Sequence, residues 1–150
     1  MTDTKPIRRI AIVGTGVIGA SWSAEYLARG FDVVATDPAP NAESNLRKLI
    51  DAAWKDLTRI GLAKGASRDR LRFTTNMKEA LSGADFVQEN GPERPDFKMK
   101  LYAEMDEVVP VDSLLASSSW ALHQLSFSRN ANTRSGWSSD IRSTRLTSYR

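Results

Sequence analysis

Three glycines, Gly14, Gly16 and Gly19, stand between a short β-rich apolar run and a stretch of helical spacing, and they constrain this chain more than any other feature. The run Ile10-Ala-Ile-Val-Gly14-Thr-Gly16-Val-Ile-Gly19 is followed by Asp32-Val-Val-Ala-Thr-Asp37. Together they read as a strand, a glycine turn, a helix and a second strand ending in a carboxylate, the layout of a dinucleotide site. Gly14 lets the chain turn out of the first strand, Gly16 lets the backbone approach a pyrophosphate, and Gly19 lets helix and strand pack closely. Free N–H groups at the helix start then face the phosphates. A carboxylate at Asp37 can accept both ribose hydroxyls of adenosine and repels a 2′-phosphate, which favours NAD over NADP.

Glycine turns also occur where only close packing of an α/β unit is needed, and S-adenosylmethionine domains likewise use a glycine loop and an acid after the second strand. Context separates these readings. Ile18, Trp22, Tyr26 and Leu27 recur at roughly helical spacing before Gly30, and a third glycine at Gly19 fits a pyrophosphate better than a methionine tail.

The rest of the chain continues the alternation. Pro38 and Pro40 mark a turn, and Asn41 opens a helix through Leu46, Leu49, Ile50, Ala53, Trp54 and Leu57 that ends at Gly61. Residues 65–70 read as a loop, 71–73 as a strand, 77–81 as a helical turn and 84–88 as a further strand broken by Asn90-Gly-Pro92. Residues 98–109 read as a helix with Met99, Tyr102, Met105 and Val109 inward, and 113–116 as a strand entering Ser117-Ser-Ser119. A doubly wound parallel α/β sheet is expected.

A chain of 150 residues suffices for one core but is short for a dehydrogenase with a separate substrate domain. The absence of cysteine excludes disulfides and thiolate metal sites, and no metal site is expected. With no signal-type segment and no bilayer-length apolar run, a cytoplasmic protein is expected, without a membrane partner. The formal charge of +3 does not indicate nucleic acid. Residues 1–119 carry 16 Lys or Arg against 17 Asp or Glu, and residues 120–150 carry five Arg against Asp140, so the basicity belongs to the tail.

Several segments now carry a resemblance: Ala35-Thr-Asp37-Pro-Ala-Pro40, Gly65-Ala-Ser-Arg-Asp-Arg-Leu-Arg-Phe73, Gly83-Ala-Asp-Phe-Val-Gln88 with Pro92-Glu-Arg94, and Leu115-Ala-Ser-Ser-Ser119. Over residues 7–119 the chain resembles the 3-hydroxyacyl-CoA dehydrogenase superfamily, and within it the enzymes that oxidise carnitine. The resemblance implies a Rossmann-type fold and hydride transfer from a secondary alcohol, L-carnitine or a 3-hydroxyacyl-CoA, to NAD. It places Gly14, Thr15, Gly16, Val17, Ile18 and Gly19 on the pyrophosphate, Asp37 on the adenosine ribose, and Glu93 and Lys98 on the nicotinamide side. The plainer alternatives are that Glu93 caps the following helix and Lys98 is a solvated helix charge. A lens crystallin that uses this fold for bulk offers a non-catalytic alternative.

The resemblance also implies a catalytic His, a Glu that orients it, and a C-terminal helical domain that closes the substrate site and forms a homodimer. Residues 1–119 contain no His, and His123 lies in a stretch without strand or helix period. Trp120 stands where the superfamily continues with a further Ser that orients substrate and nicotinamide. No catalytic residue is therefore assigned, and the helical domain is expected to be missing.

The genetic code accounts for the change of character. Joining the third base of each codon to the first two of the next, Asn132-Thr133 permits CAC, Thr133-Arg134 CCG, Arg134-Ser135 GAG and Ser135-Gly136 CGG, which spells His-Pro-Glu-Arg. Continued to Arg150, the shifted codons can spell Val-Val-Ile-Gly-His-Pro-Phe-Asn-Pro-Pro-His-Leu-Ile-Pro, similar to the superfamily's catalytic-His segment. At Trp120-Ala121 the same shift permits glycine, as if one base of a Ser codon were lost. Residues 1–119 are thus expected to be a cofactor domain, and 120–150 an out-of-frame tail that lacks the apolar patterning to offset ordering entropy.

Overall fold

The computed structural model describes residues 6–118. Five strands, β1 (Arg9–Val13), β2 (Asp32–Thr36), β3 (Leu71–Thr74), β4 (Phe86–Glu89) and β5 (Leu114–Ser117), form one parallel sheet in the order β3-β2-β1-β4-β5. Four helices connect them: α1 (Val17–Ala28), α2 (Ala42–Ile60), α3 (Met77–Leu81) and α4 (Pro95–Asp106). The chain leaves β1 toward β2 and β3 on one side, then returns to place β4 and β5 on the other. The order therefore reverses between β1 and β4, where a doubly wound sheet opens a crevice beyond its strand ends.

Residues along β1 alternate between two cores. Ile10 and Ile12 join Ala20, Ala24 and Leu27 of α1 and Leu46 and Ile50 of α2, whereas Ala11 and Val13 join Leu81, Val87 and Met105 on the opposite face. Both β1 neighbours are strands, so the run is buried on each side and reads as continuous hydrophobe. Leu46 and Ile50 anchor α2, and full burial of such a side chain contributes roughly 1.5–3 kcal/mol.

The structure departs from the sequence expectation mainly in what faces the core. The buried stripe of α1 is Gly19, Ala20, Ser23, Ala24, Leu27 and Ala28, while Ile18 and Trp22 are exposed. Leu27 is the one large side chain of this stripe, and Tyr26 packs at its margin. Residues 68–70, expected in a loop, form a 3-10 turn whose preceding Ser67 hydroxyl accepts from the Asp69 N–H. Helix α4 starts a turn earlier than expected, because Pro95 already has the φ that a first helical turn needs and no N–H to lose. In this helix Met99 faces solvent, against the sequence expectation, and Lys98 is inside. Strand β4 runs to Glu89 rather than Gln88, and β5 begins one residue later than expected. The tail from residue 120 lies outside the described residues.

Candidate dinucleotide site

At the end of β1 the chain turns at Gly14, whose φ of +88° suits glycine. The Gly14 N–H donates to the Thr36 carbonyl at 3.0 Å, tying the turn to the end of β2. A Cβ on Gly14 would come within 3.0 Å of the Asn90 backbone, and one on Gly19 would lie 2.0 Å from the Gly14 carbonyl oxygen. Gly16 differs: a Cβ there would meet nothing within 4 Å. The first and third glycines are thus fixed by protein contacts, whereas the second faces open space.

Gly16 is also the N-cap of α1, without a side-chain hydrogen bond, and the first turn holds no acid. Its N–H groups accordingly have no carboxylate of their own and favour an anion. This donor set fits the pyrophosphate of a dinucleotide. Val17 and Ile18, the next two residues, are 71% and 56% exposed beside the loop.

Asp37 follows directly after β2 and is half-buried. Its Oδ2 accepts from the Thr15 N–H at 2.8 Å and the Thr15 hydroxyl at 3.1 Å, and its Oδ1 accepts from the Ala39 N–H at 2.9 Å. The structure therefore joins the glycine loop to this carboxylate, with Thr15 as a buried link. Oδ1 retains an acceptor position, whereas a bond from a ligand to Oδ2 requires the Thr15 hydroxyl to turn away. The sequence places Thr15 in the loop, and the structure adds this connection.

On the other side of the crevice, strand alternation sends Gln88 toward α1 and Glu89 toward α4. Glu89 is 0% exposed and Lys98 1% exposed, and the Lys98 ammonium donates to both carboxylate oxygens at 3.0 and 3.3 Å. Glu89 also accepts from the Gly91 N–H, from the Tyr102 hydroxyl at 2.9 Å and from the Ser117 hydroxyl at 2.6 Å. Burial pushes the Tyr102 phenol well above its ordinary pKa of 10.0; the hydrogen bond with Ser117 opposes this, and the Glu89 charge adds to it. On the α1 side, the Gln88 amide donates to Ser118 Oγ at 2.9 Å, and Ser118 donates to Asn90 Oδ1 at 2.7 Å. Tyr26 lies 3.5 Å from Gln88 Oε1, its pKa raised by burial and then by Glu25.

Of the two residues expected on this side, Glu93 is exposed and does not cap α4, whose N-cap Arg94 has no side-chain cap hydrogen bond. Lys98 is not a solvated helix charge. Glu89, its partner, was missed, although two polar residues closing the otherwise apolar strand Phe86-Val-Gln-Glu were a legible sign. Gly91, a strand breaker by sequence, also makes room for the Glu89 carboxylate, which a Cβ there would approach within 2.8 Å.

Among the described residues no cluster of three or more His, Cys, Asp or Glu could hold a metal, and no helix is long and apolar enough to cross a membrane. Residues 9–136 match the family of the 3-hydroxyacyl-CoA dehydrogenase, NAD binding domain. The chain is 52% identical over 118 residues to the L-carnitine dehydrogenase of Streptomyces coelicolor, covering 79% of this chain and 37% of that protein. Among solved structures, it resembles a 5-formyl-3-hydroxy-2-methylpyridine 4-carboxylic acid 5-dehydrogenase, an NAD+-dependent dismutase. The TM-score there is 0.68 at 39% identity, over 76% of this chain and 37% of the other. The 3-hydroxybutyryl-CoA dehydrogenase of Escherichia coli K12 superposes with a TM-score of 0.67 at 28% identity, over 77% of this chain and 25% of that one. The chain thus spans little more than a third of the length of the carnitine dehydrogenase that it matches.

Proposed function

Because the chain belongs to the 3-hydroxyacyl-CoA dehydrogenase family, matching its NAD-binding domain over residues 9–136, we propose that it is the cofactor half of an NAD-dependent dehydrogenase that oxidises carnitine to 3-dehydrocarnitine. The observation that carries the cofactor reading is the open face over Gly16 beside the anchored Asp37. The substrate reading rests on identity: 52% to a carnitine dehydrogenase against 28% to a 3-hydroxybutyryl-CoA dehydrogenase.

When bound, NAD takes up the hydride that leaves the alcohol carbon. In this reading the N–H groups of residues 16–19 hold the pyrophosphate, the Thr15 N–H holds Asp37 in place, and Asp37 Oδ1 accepts from the adenosine ribose. The ends of β4 and β5 flank the nicotinamide half. The alcohol proton needs a general base, and residues 1–119 contain no His. We place that base in the shifted frame of residues 120–150, within its His-Pro-Phe-Asn-Pro-Pro segment, and read the 150-residue chain as a frameshifted product that binds NAD without turnover.

Sequencing the encoding DNA from codon 115 to several hundred bases beyond codon 150 tests this reading. An open downstream frame carrying that segment supports it, and the restored protein should then form NADH with carnitine. NADH formation with 3-hydroxybutyryl-CoA instead would move the substrate to the acyl-CoA class. Carnitine-dependent NADH formation by the 150-residue chain itself would overturn the assignment of the base.

A further inference from the structure

The pyrophosphate reading fixes where the two halves of a dinucleotide go. With the phosphates over the β1 turn and the adenosine ribose at Asp37 on the β2 side, the nicotinamide half extends over the ends of β4 and β5, across the switch point. The wall it meets there is the turn after β4, whose Asn90 and Gly91 backbone packs against Gly14.

That turn is held from beneath by one carboxylate. Glu89 gathers the Gly91 N–H of the turn, the Lys98 ammonium and Tyr102 hydroxyl of α4, and the Ser117 hydroxyl of β5. Being fully buried, it cannot touch a ligand, and the Lys98 ammonium is directed at it from the interior. Gln88, Asn90 and Ser118 hold the same turn from the other face of β4. A buried ion pair contributes little more to stability than well-packed apolar side chains of the same volume, so stability alone does not account for a charge at this position.

We infer that Glu89 is a positioning residue for the nicotinamide half of the dinucleotide, fixing the β4 turn and the end of β5 through Gly91, Lys98 and Ser117. The inference rests on the NAD reading above. It also gives Lys98, whose ammonium donates to Glu89, a part in holding that turn.

The test compares NADH with ADP-ribose, which lacks the nicotinamide, on the full 150-residue chain and its Glu89→Gln, Ser117→Ala and Tyr102→Phe variants. Titration gives each affinity, and the nicotinamide emission of NADH reports how that ring is held. In Glu89→Gln, ADP-ribose affinity should stay within about twofold of the parent, while NADH weakens about tenfold, the equivalent of one charged hydrogen bond. The emission change on binding should be lost. Ser117→Ala keeps the ion pair and should show the same selective loss more weakly, which decides the matter if Glu89→Gln does not fold. Equal weakening of both ligands, or no weakening of either, overturns the inference, since a merely structural carboxylate would not discriminate between them. A parent chain with equal affinity for NADH and ADP-ribose overturns it too. A parent chain that binds neither overturns the dinucleotide reading and this inference with it.

Discussion

The β2 side of the crevice is built from residues 14 to 37, a single β-α-β stretch, with backbone N–H groups and one half-buried carboxylate. The β4 side draws on Glu89, Gly91, Lys98, Tyr102 and Ser117, from a strand, a turn, a helix and a second strand, and centres on a carboxylate removed from solvent. The first arrangement is local, so its requirements appear as glycines at fixed offsets. The second depends on which side chains meet after the sheet has assembled. The β2 side should therefore be sensitive in binding and tolerant in stability, whereas the β4 side should be sensitive in stability and, in binding, only toward the nicotinamide half.

The largest effect is expected from Glu89→Ala. It removes the carboxylate from a buried ion pair, a change that costs about 3–5 kcal/mol. Urea unfolding of the variant beside the parent measures it. A loss below 1 kcal/mol would show that the Glu89 cluster is not what holds α4 and β5 to β4, and the contrast between the two sides would collapse.

Gly19 is where the β2 side is expected to break the pattern. Gly19→Ala places a methyl 2.0 Å from the Gly14 carbonyl oxygen, so α1 and the turn must separate. Forcing extra volume into a packed site costs roughly 1–3 kcal/mol. Gly16→Ala meets nothing within 4 Å and should unfold with the parent. Gly16→Asp should fold as well but abolish NAD binding, because it brings a carboxylate to the approach of the phosphates. Thermal melts and NAD titrations of the three variants separate the packing glycine from the binding glycine.

How much of this was legible follows from the same distinction. The doubly wound parallel class, the five strands and the glycine loop could be read because each leaves a short-range pattern: an apolar run, a turn residue, a helical spacing. The Thr15–Asp37 link could not be foreseen from residue types alone, since it depends on β1 and β2 lying in register, with Val13 opposite Thr36. Lys98 was ambiguous for a related reason. One cation on a helix looks solvated until Pro95 fixes where the helix begins and Glu89 meets it across the sheet end. In α1 the spacing of the large apolar residues marked a helix but not its buried face, which is made of Gly19, Ala20, Ser23, Ala24, Leu27 and Ala28.

Asp37→Ala sharpens the contrast from the binding side. It should weaken NAD and AMP together by roughly tenfold, the value of one hydrogen bond to a charged group. Glu89→Gln is expected to spare a ligand without nicotinamide, so the two variants should split the dinucleotide into halves when AMP, ADP-ribose and NADH are titrated in parallel. If Asp37→Ala weakened NADH but left AMP unchanged, the adenosine ribose would not lie at Asp37.

The smallest expected effect belongs to Tyr102, and its sign follows from linkage. Burial raises the phenol above 10.0 in the folded chain, so the folded state binds that proton more tightly than the unfolded state does. Its contribution is present in full below the unfolded pKa and is lost as pH rises through the higher folded value. The parent should therefore lose stability as pH climbs above about 10. Tyr102→Phe removes one hydrogen bond to Glu89 and should cost about 1 kcal/mol at neutral pH. Above pH 10 it should lose less further stability than the parent, so the two curves should converge. Unfolding midpoints measured at pH 7, 9, 10 and 11 (about one unit on either side of the phenol's ordinary range) check this. Parallel curves would mean that Tyr102 has the same proton affinity in both states, and that the Glu89 cluster is more open to water than its burial indicates.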